Sequence, residues 1–139
     1  MSDPQSPPVD APPFRVTGVD FVTVPCRDLA EAEHFYGTVL GLPLVKRWGS
    51  RPAAEFQAGQ LTIAVMDPKG FGGGEPAPHR LPIALHVDDV PAARAHLEAQ
   101  GVRFHGETID SGVCLQALFA DPTGNTLDLH HRYAGCAEG

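Results

Sequence analysis

The stretch VDFVTVPCRDLAEAEHFYGTVLGL, residues 19–42, changes its hydrophobic period once, and that change decides the fold. Up to Cys26 the period is two: Val22, Val24 and Cys26 alternate with Phe21, Thr23 and Pro25, as in a strand with one face on a core. Beyond Asp28 the period lengthens. Leu29, Ala32, Phe35, Tyr36, Val39 and Leu40 recur at three- and four-residue steps, which predicts an amphipathic helix. Asp28 suits its N-cap, Glu31 completes a capping box, and Gly41 ends it.

Outward from this stretch, short runs around Leu42–Lys46, Ala54–Gln57 and Leu61–Met66 read as a strand meander. The stretch PIALHVDDVPAARAHLEAQGV, residues 82–102, then repeats the opening. Asp89 stands 61 positions after Asp28, and the same offset carries Val22 to Ile83, Val24 to Leu85 and Leu29 to Val90. Later strands are expected at Phe104–His105, Val113–Phe119 and Thr126–His130, around the turn Asp121-Pro122-Thr123-Gly124-Asn125. The chain therefore reads as α+β: two βαβββ modules, about 19–66 and 81–131, joined by a linker over 67–80 into a single domain spanning 19–131. The linker's glycines lack the Gly-Lys-Ser/Thr ending of a phosphate cradle. Residues 1–14 are Pro-rich and read as a flexible arm, and the tail from Ala134 to Gly139 is expected to fray.

Composition narrows the function. The chain has 139 residues, with 10 Lys and Arg against 17 Asp and Glu, a formal charge of −7. That balance disfavours nucleic acid and anionic membrane surfaces as partners, and no run of 18 apolar residues suggests a membrane span. Cys26, Cys114 and Cys136 are an odd set without a secretory signature, so a reducing, cytoplasmic setting is expected.

Asp28-Leu29, Phe35-Tyr36, Val39-Leu40-Gly41-Leu42, Val87-Asp88-Asp89-Val90, Gly101-Val102 and Asp121-Pro122-Thr123-Gly124-Asn125 together resemble the vicinal oxygen chelate superfamily, the group of glyoxalases, bleomycin-resistance proteins and extradiol dioxygenases. The resemblance implies two sheets curled around an open, barrel-like cleft, and a homodimer whose modules pair within a chain or swap between chains. In metal-using members the first strand of each module gives a His, and last strands give acids. Counting back seven residues from Asp28 and Asp89 reaches Phe21 and Pro82, and aligning Gly59 with Gly124 sets Ile63 opposite Asp128. Only Asp128 retains a donor, so no metal or other cofactor is expected at these positions.

On the resemblance, Phe21, Thr23, Pro25, Pro82, Ala84, His86, Thr126, Asp128 and His130 face the cleft. The expected ligand contacts are Phe21, Thr23, Trp48, Pro82, His86, Thr126, Asp128 and His130, with Trp48 either a stacking surface or a core or interface anchor. His86 oriented by Asp128 would suit acid–base chemistry, and His86, Asp128 and His130 a displaced divalent-metal site. His34, His79, His96, His105 and His131 read as polar surface, and Cys26 as a buried thiol. The expectation is a small-molecule-binding protein preferring cationic or neutral ligands, the alternative being a lyase, isomerase, epimerase or dioxygenase-like enzyme using His86 and Asp128.

Overall fold

Each module begins with a strand, an Asp cap and a helix, and its other strands build a sheet beside the first. A computed structural model describes residues 10–135. Most of the expected flexible arm, the end of the expected fraying tail, and Cys136 lie outside the described residues. In the first module, β1 (Val22–Pro25) leads through α1 (Leu29–Glu33) to β2 (Leu44–Arg47), β3 (Ala53–Ala58) and β4 (Leu61–Met66). The second repeats the plan with β5 (Ile83–His86), α2 (Val90–Ala99), β6 (Ile109–Asp110), β7 (Cys114–Ala120) and β8 (Thr126–Arg132). The sheet orders match, β1-β4-β3-β2 and β5-β8-β7-β6, and neither sheet closes on itself. In both, the first strand is an edge strand parallel to the last.

Asp28 caps α1 as expected, its carboxylate accepting the Glu31 amide at 3.1 Å. The reciprocal half of the box is replaced, because the Glu31 side chain turns to the charged donors of Arg27 at 2.8 and 3.0 Å. The helix also departs from a uniform 3.6 period. From His34 to Val39 it widens into a π segment, with the Leu40 amide bonded to the Phe35 carbonyl at 2.8 Å. Both adjacent aromatics are buried, Phe35 beside Phe119 and Tyr36 beside Phe56. A Cβ on Gly37 would lie 3.2 Å from the Phe56 ring, so its absence lets the segment sit close to β3.

The expected strand at Phe104–His105 shrinks to a bridge between Phe104 and Phe119, and the partner of β7 is Ile109–Asp110. Arg94 on α2 explains this: its guanidinium lies 4.7 Å over Phe104 and donates to the Gly106 carbonyl at 2.8 Å, tying the stretch to the helix. In the linker, Asp67 caps a 3-10 turn, Pro68–Phe71.

One hydrophobic cluster joins the two modules. Val24, Phe56, Ile63 and Val65 of the first sheet share it with Ala117, Phe119, Leu127 and Leu129 of the second. Beside it lies a buried polar lock built on the Asp121 turn. One Asp121 oxygen accepts the amides of Thr123, Gly124 and Asn125, and the other accepts the Tyr36 hydroxyl at 2.7 Å and the Asn125 side-chain amide at 2.8 Å. Asn125 also donates to the Pro25 carbonyl at 2.8 Å, so the turn holds α1's aromatic and the end of β1 at once. Burial first, then the adjacent Asp121 charge, raises the Tyr36 phenol far above its ordinary range, so it remains a donor.

Candidate functional site

Strand alternation sends Val22, Val24, Ile63 and Val65 into the core, leaving Thr23 and Ala64 on the opposite, open face of the first sheet. The rings of Phe21 and Trp48, carried next to the two edge strands, meet edge-on at 5.9 Å, and Phe71 meets Trp48 at the same distance. Ala53 and Ala64 are fully buried outside the core cluster, and such small side chains leave room for rings on this face. Arg51 lies 5.2 Å from the Phe71 ring centre. The Trp48 indole donates to Glu55 at 2.7 Å, with Lys46 3.9 Å from the same oxygen. Thr23 is exposed on β1, and Phe21 keeps 42% of its surface in solvent. The result is a half-open aromatic wall holding one carboxylate.

The open face of the second sheet carries Thr126, Asp128 and His130, flanked by Ala84 on the edge strand. Asp128 is only 1% exposed, and its carboxyl accepts the Ala117 amide at 3.1 Å. Burial pushes its proton affinity above the ordinary carboxyl value, against opposing pulls from His130 and the Ala117 amide. Thr126 and His130 are half-buried, and Pro82 is exposed just before β5.

The expected pairing of His86 with Asp128 does not form. His86 lies 3.1 Å from Asp88, and its ring is 5.7 Å from that of His131. The reason is positional: His86 ends the edge strand β5 with its ring at His131, which follows Leu127 and Leu129 on the alternation opposite to Asp128. The donors converging among the described residues are therefore His86, Asp88 and His131, in place of His86, Asp128 and His130. His131 and His79, expected as plain polar surface, each hold one buried ring nitrogen without a hydrogen-bond partner.

A separate groove of about 560 Å³ opens between the modules. Leu40, Leu42, Leu61, Ile63 and Leu85 form much of its wall, and His86 is the imidazole among its lining residues. It adjoins core-side residues and shares only His86 with the expected ligand contacts. Sequence reading missed Glu55, Phe71, Asp88 and His131. The Asp67–Arg80 stretch reads as a plain linker because nothing in its glycines announces the 3-10 turn that presents Phe71. Asp88 is overshadowed by its neighbour Asp89, which is the residue that caps α2.

Strand register corrects one alignment. Val22 pairs with Ile63 in the first sheet and Ile83 with Leu127 in the second, so Ala64, not Ile63, is the counterpart of Asp128. The Gly59 and Gly124 anchor slips because Gly59-Gln60 is a two-residue turn, whereas residues 121–125 form a longer loop. The four positions where the resemblance implies metal donors thus hold Phe21, Ala64, Pro82 and Asp128. A divalent ion needs three or four donors at about 2.0–2.6 Å. One carboxyl beside two apolar side chains and a proline does not fit it.

The family model described as Glyoxalase/Bleomycin resistance protein/Dioxygenase superfamily matches residues 18–129. Among solved structures, the antibiotic binding protein TnmS3 from Streptomyces sp. CB03234 superposes with a TM-score of 0.71 at 26% identity, over 86% of this chain and 98% of that one. A superfamily member from Sphaerobacter thermophilus gives 0.71 at 24%, over 83% and 97%. Lactoylglutathione lyase from Agrobacterium tumefaciens gives 0.69 at 19%, over 84% and 95%. These last two show a shared fold alone. No curated protein matches the chain. Among the described residues no helix is long and apolar enough to cross a membrane.

Proposed function

The chain belongs to the glyoxalase, bleomycin resistance protein and dioxygenase superfamily, and from that premise we propose that it binds a flat, cationic or neutral small molecule without a metal at the superfamily's ligand positions. The observation that carries the proposal is the aromatic wall. Where the first module of a metal-using relative would offer donors, this chain has Phe21 and Ala64, with the ring of Trp48 beside Phe21. Ring faces offer stacking area and attract cations, and Glu55 adds a carboxylate next to the indole. The net charge of −7 favours the same ligands. Thr23 completes the first-sheet contacts, and Pro82, Thr126, Asp128 and His130 line the second sheet's open face. A neighbour whose printed name is antibiotic binding protein supports the same class.

A second copy of the chain completes the cleft in this reading. Both β1 and β5 are unpaired at one edge, and Phe21 and Leu81, just ahead of them, are 42% and 83% exposed. Cys26 and Cys114 are free thiols, in keeping with a reducing, cytoplasmic setting.

The test is calorimetric titration with an aminoacridinium cation and with anilinonaphthalene sulfonate, in parent protein and in Trp48→Ala. The cation binds more tightly, and Trp48→Ala weakens it about tenfold. Equal affinity in both proteins, or preference for the anion, overturns the reading.

One observation favours a glyoxalase-like lyase, isomerase or epimerase as the second reading: Asp128 is a buried carboxyl of raised proton affinity on an otherwise open sheet face. In that case Asp128→Asn removes turnover of a substrate yet leaves its binding, whereas a binding protein shows no turnover to lose.

A further inference from the structure

Where β5 and β8 end side by side, three side chains converge that the ligand-binding reading does not use as a set. His86 closes β5, Asp88 follows two residues later, and His131 lies near the end of β8. One donor atom from each lies within 4.8 Å of the other two, and the His86 Nε2 to Asp88 Oδ1 distance is 3.1 Å. The imidazole rings stand 5.7 Å apart, tilted by 41°.

An ordinary surface ion pair explains only part of this. Asp88 is 97% exposed at its side chain and His86 67%, so their pairing contributes little to the fold. His131 differs: it is half-buried, and its Nδ1 is shielded from solvent with no hydrogen-bond partner. Buried ring nitrogens are normally satisfied, so this one needs an explanation.

We propose that His86, Asp88 and His131 form a binding site for a zinc-class divalent ion, distinct from the superfamily's ligand positions. Two imidazoles and a carboxylate are donors that zinc accepts, and tetrahedral bonds of about 2.0–2.2 Å place ligand atoms about 3.4 Å apart. The His86 to Asp88 separation is already near that value. Closing the remainder draws the two exposed side chains toward His131, whose backbone is held by pairing with Leu115. The formal charge of −7 favours a cation. Three protein ligands leave one coordination position open, and one of the three, His86, also lines the 560 Å³ groove. This site does not depend on the aromatic wall, and it stands or falls apart from the proposed ligand.

The test is titration of untagged, chelator-stripped full chain with zinc by calorimetry, and with cobalt(II) by visible absorption. The expected result is about one ion per chain and a four-coordinate cobalt spectrum. His86→Ala and Asp88→Asn, both changes at exposed side chains, each weaken zinc binding at least tenfold, in the range that loss of metal-site groups produces. His131→Ala abolishes the cobalt spectrum, while His105→Ala, outside the cluster, changes nothing. No binding, binding undiminished in His86→Ala and Asp88→Asn, or equal loss in His105→Ala overturns the proposal, the last two showing an adventitious ion only.

Discussion

Replacing Tyr36 by Phe tests the lock that holds the two modules in the arrangement the cleft requires. The change removes one hydroxyl, whose single partner is Asp121 at 2.7 Å. A hydrogen bond to a charged group contributes about 1.5–3 kcal/mol. Asp121 still accepts Asn125 and three backbone amides after the change, so it is not orphaned and the low end applies. The expected loss is about 1.5–2 kcal/mol. With an unfolding entropy of about 2.1 cal/mol/K per residue, that lowers Tm by roughly 5–7 °C. Urea denaturation followed by circular dichroism reads it as a lower midpoint at unchanged slope. In an Asp121→Ala background the effect of Tyr36→Phe should vanish, giving a coupling energy of about 1.5–2 kcal/mol. A Tyr36→Phe protein within about 0.5 kcal/mol of the parent, or an undiminished effect without Asp121, refutes the reasoning.

Other expectations follow from the same geometry. Asp128 has a folded-state proton affinity raised above its ordinary value of 3.8, so its burial is favourable when protonated and loses stability as pH rises through the folded value. Asp128→Asn, which still accepts the Ala117 amide, should therefore gain on the parent as pH rises from below 3.8 to neutrality, and urea midpoints across that range check it. Gly70→Ala would place a Cβ 2.2 Å from Cγ of Pro52, displacing the turn that carries Phe71. It should cost about 1–3 kcal/mol and shift the emission of Trp48. The Cys26 thiol is pushed up to about 12 by burial and then by Asp67 and Asp121, so peptide mapping should find it unalkylated by iodoacetamide until the chain unfolds.

The fold was legible because its cues are local and repeated. Asp28 and Asp89 cap their helices where the period changes, and a constant offset ties the modules. The misreadings arose where tertiary packing overrides local pattern. Phe35 and Tyr36 are both buried, as their spacing implies, but the helix that carries them widens into a π segment that a 3.6 period does not announce. Arg94 draws residues 104–106 toward α2, a contact no strand propensity encodes. In the site, Phe21 was readable as a cleft candidate from the period-2 rhythm of its strand and the resemblance, and Trp48 as either a stacking surface or an anchor. Phe71 and His131 gain meaning only from Trp48 and His86, which are distant in sequence, while Glu55 and Asp88 lie near their partners but carry no motif that marks them.

In the proposed reading, Phe21 and Trp48 form the surface that a ligand touches. Trp48 is the only tryptophan, so its indole N–H, now held by Glu55, gives a single side-chain resonance in an amide correlation spectrum. Titrating the aminoacridinium cation into labelled protein should move that resonance in step with the amides of Phe21 and Thr23, saturably and with one affinity. If the bound cation moves only residues around Leu40, Leu61 and Leu85 in the intermodule groove, leaving the indole untouched, the ligand site has been misplaced.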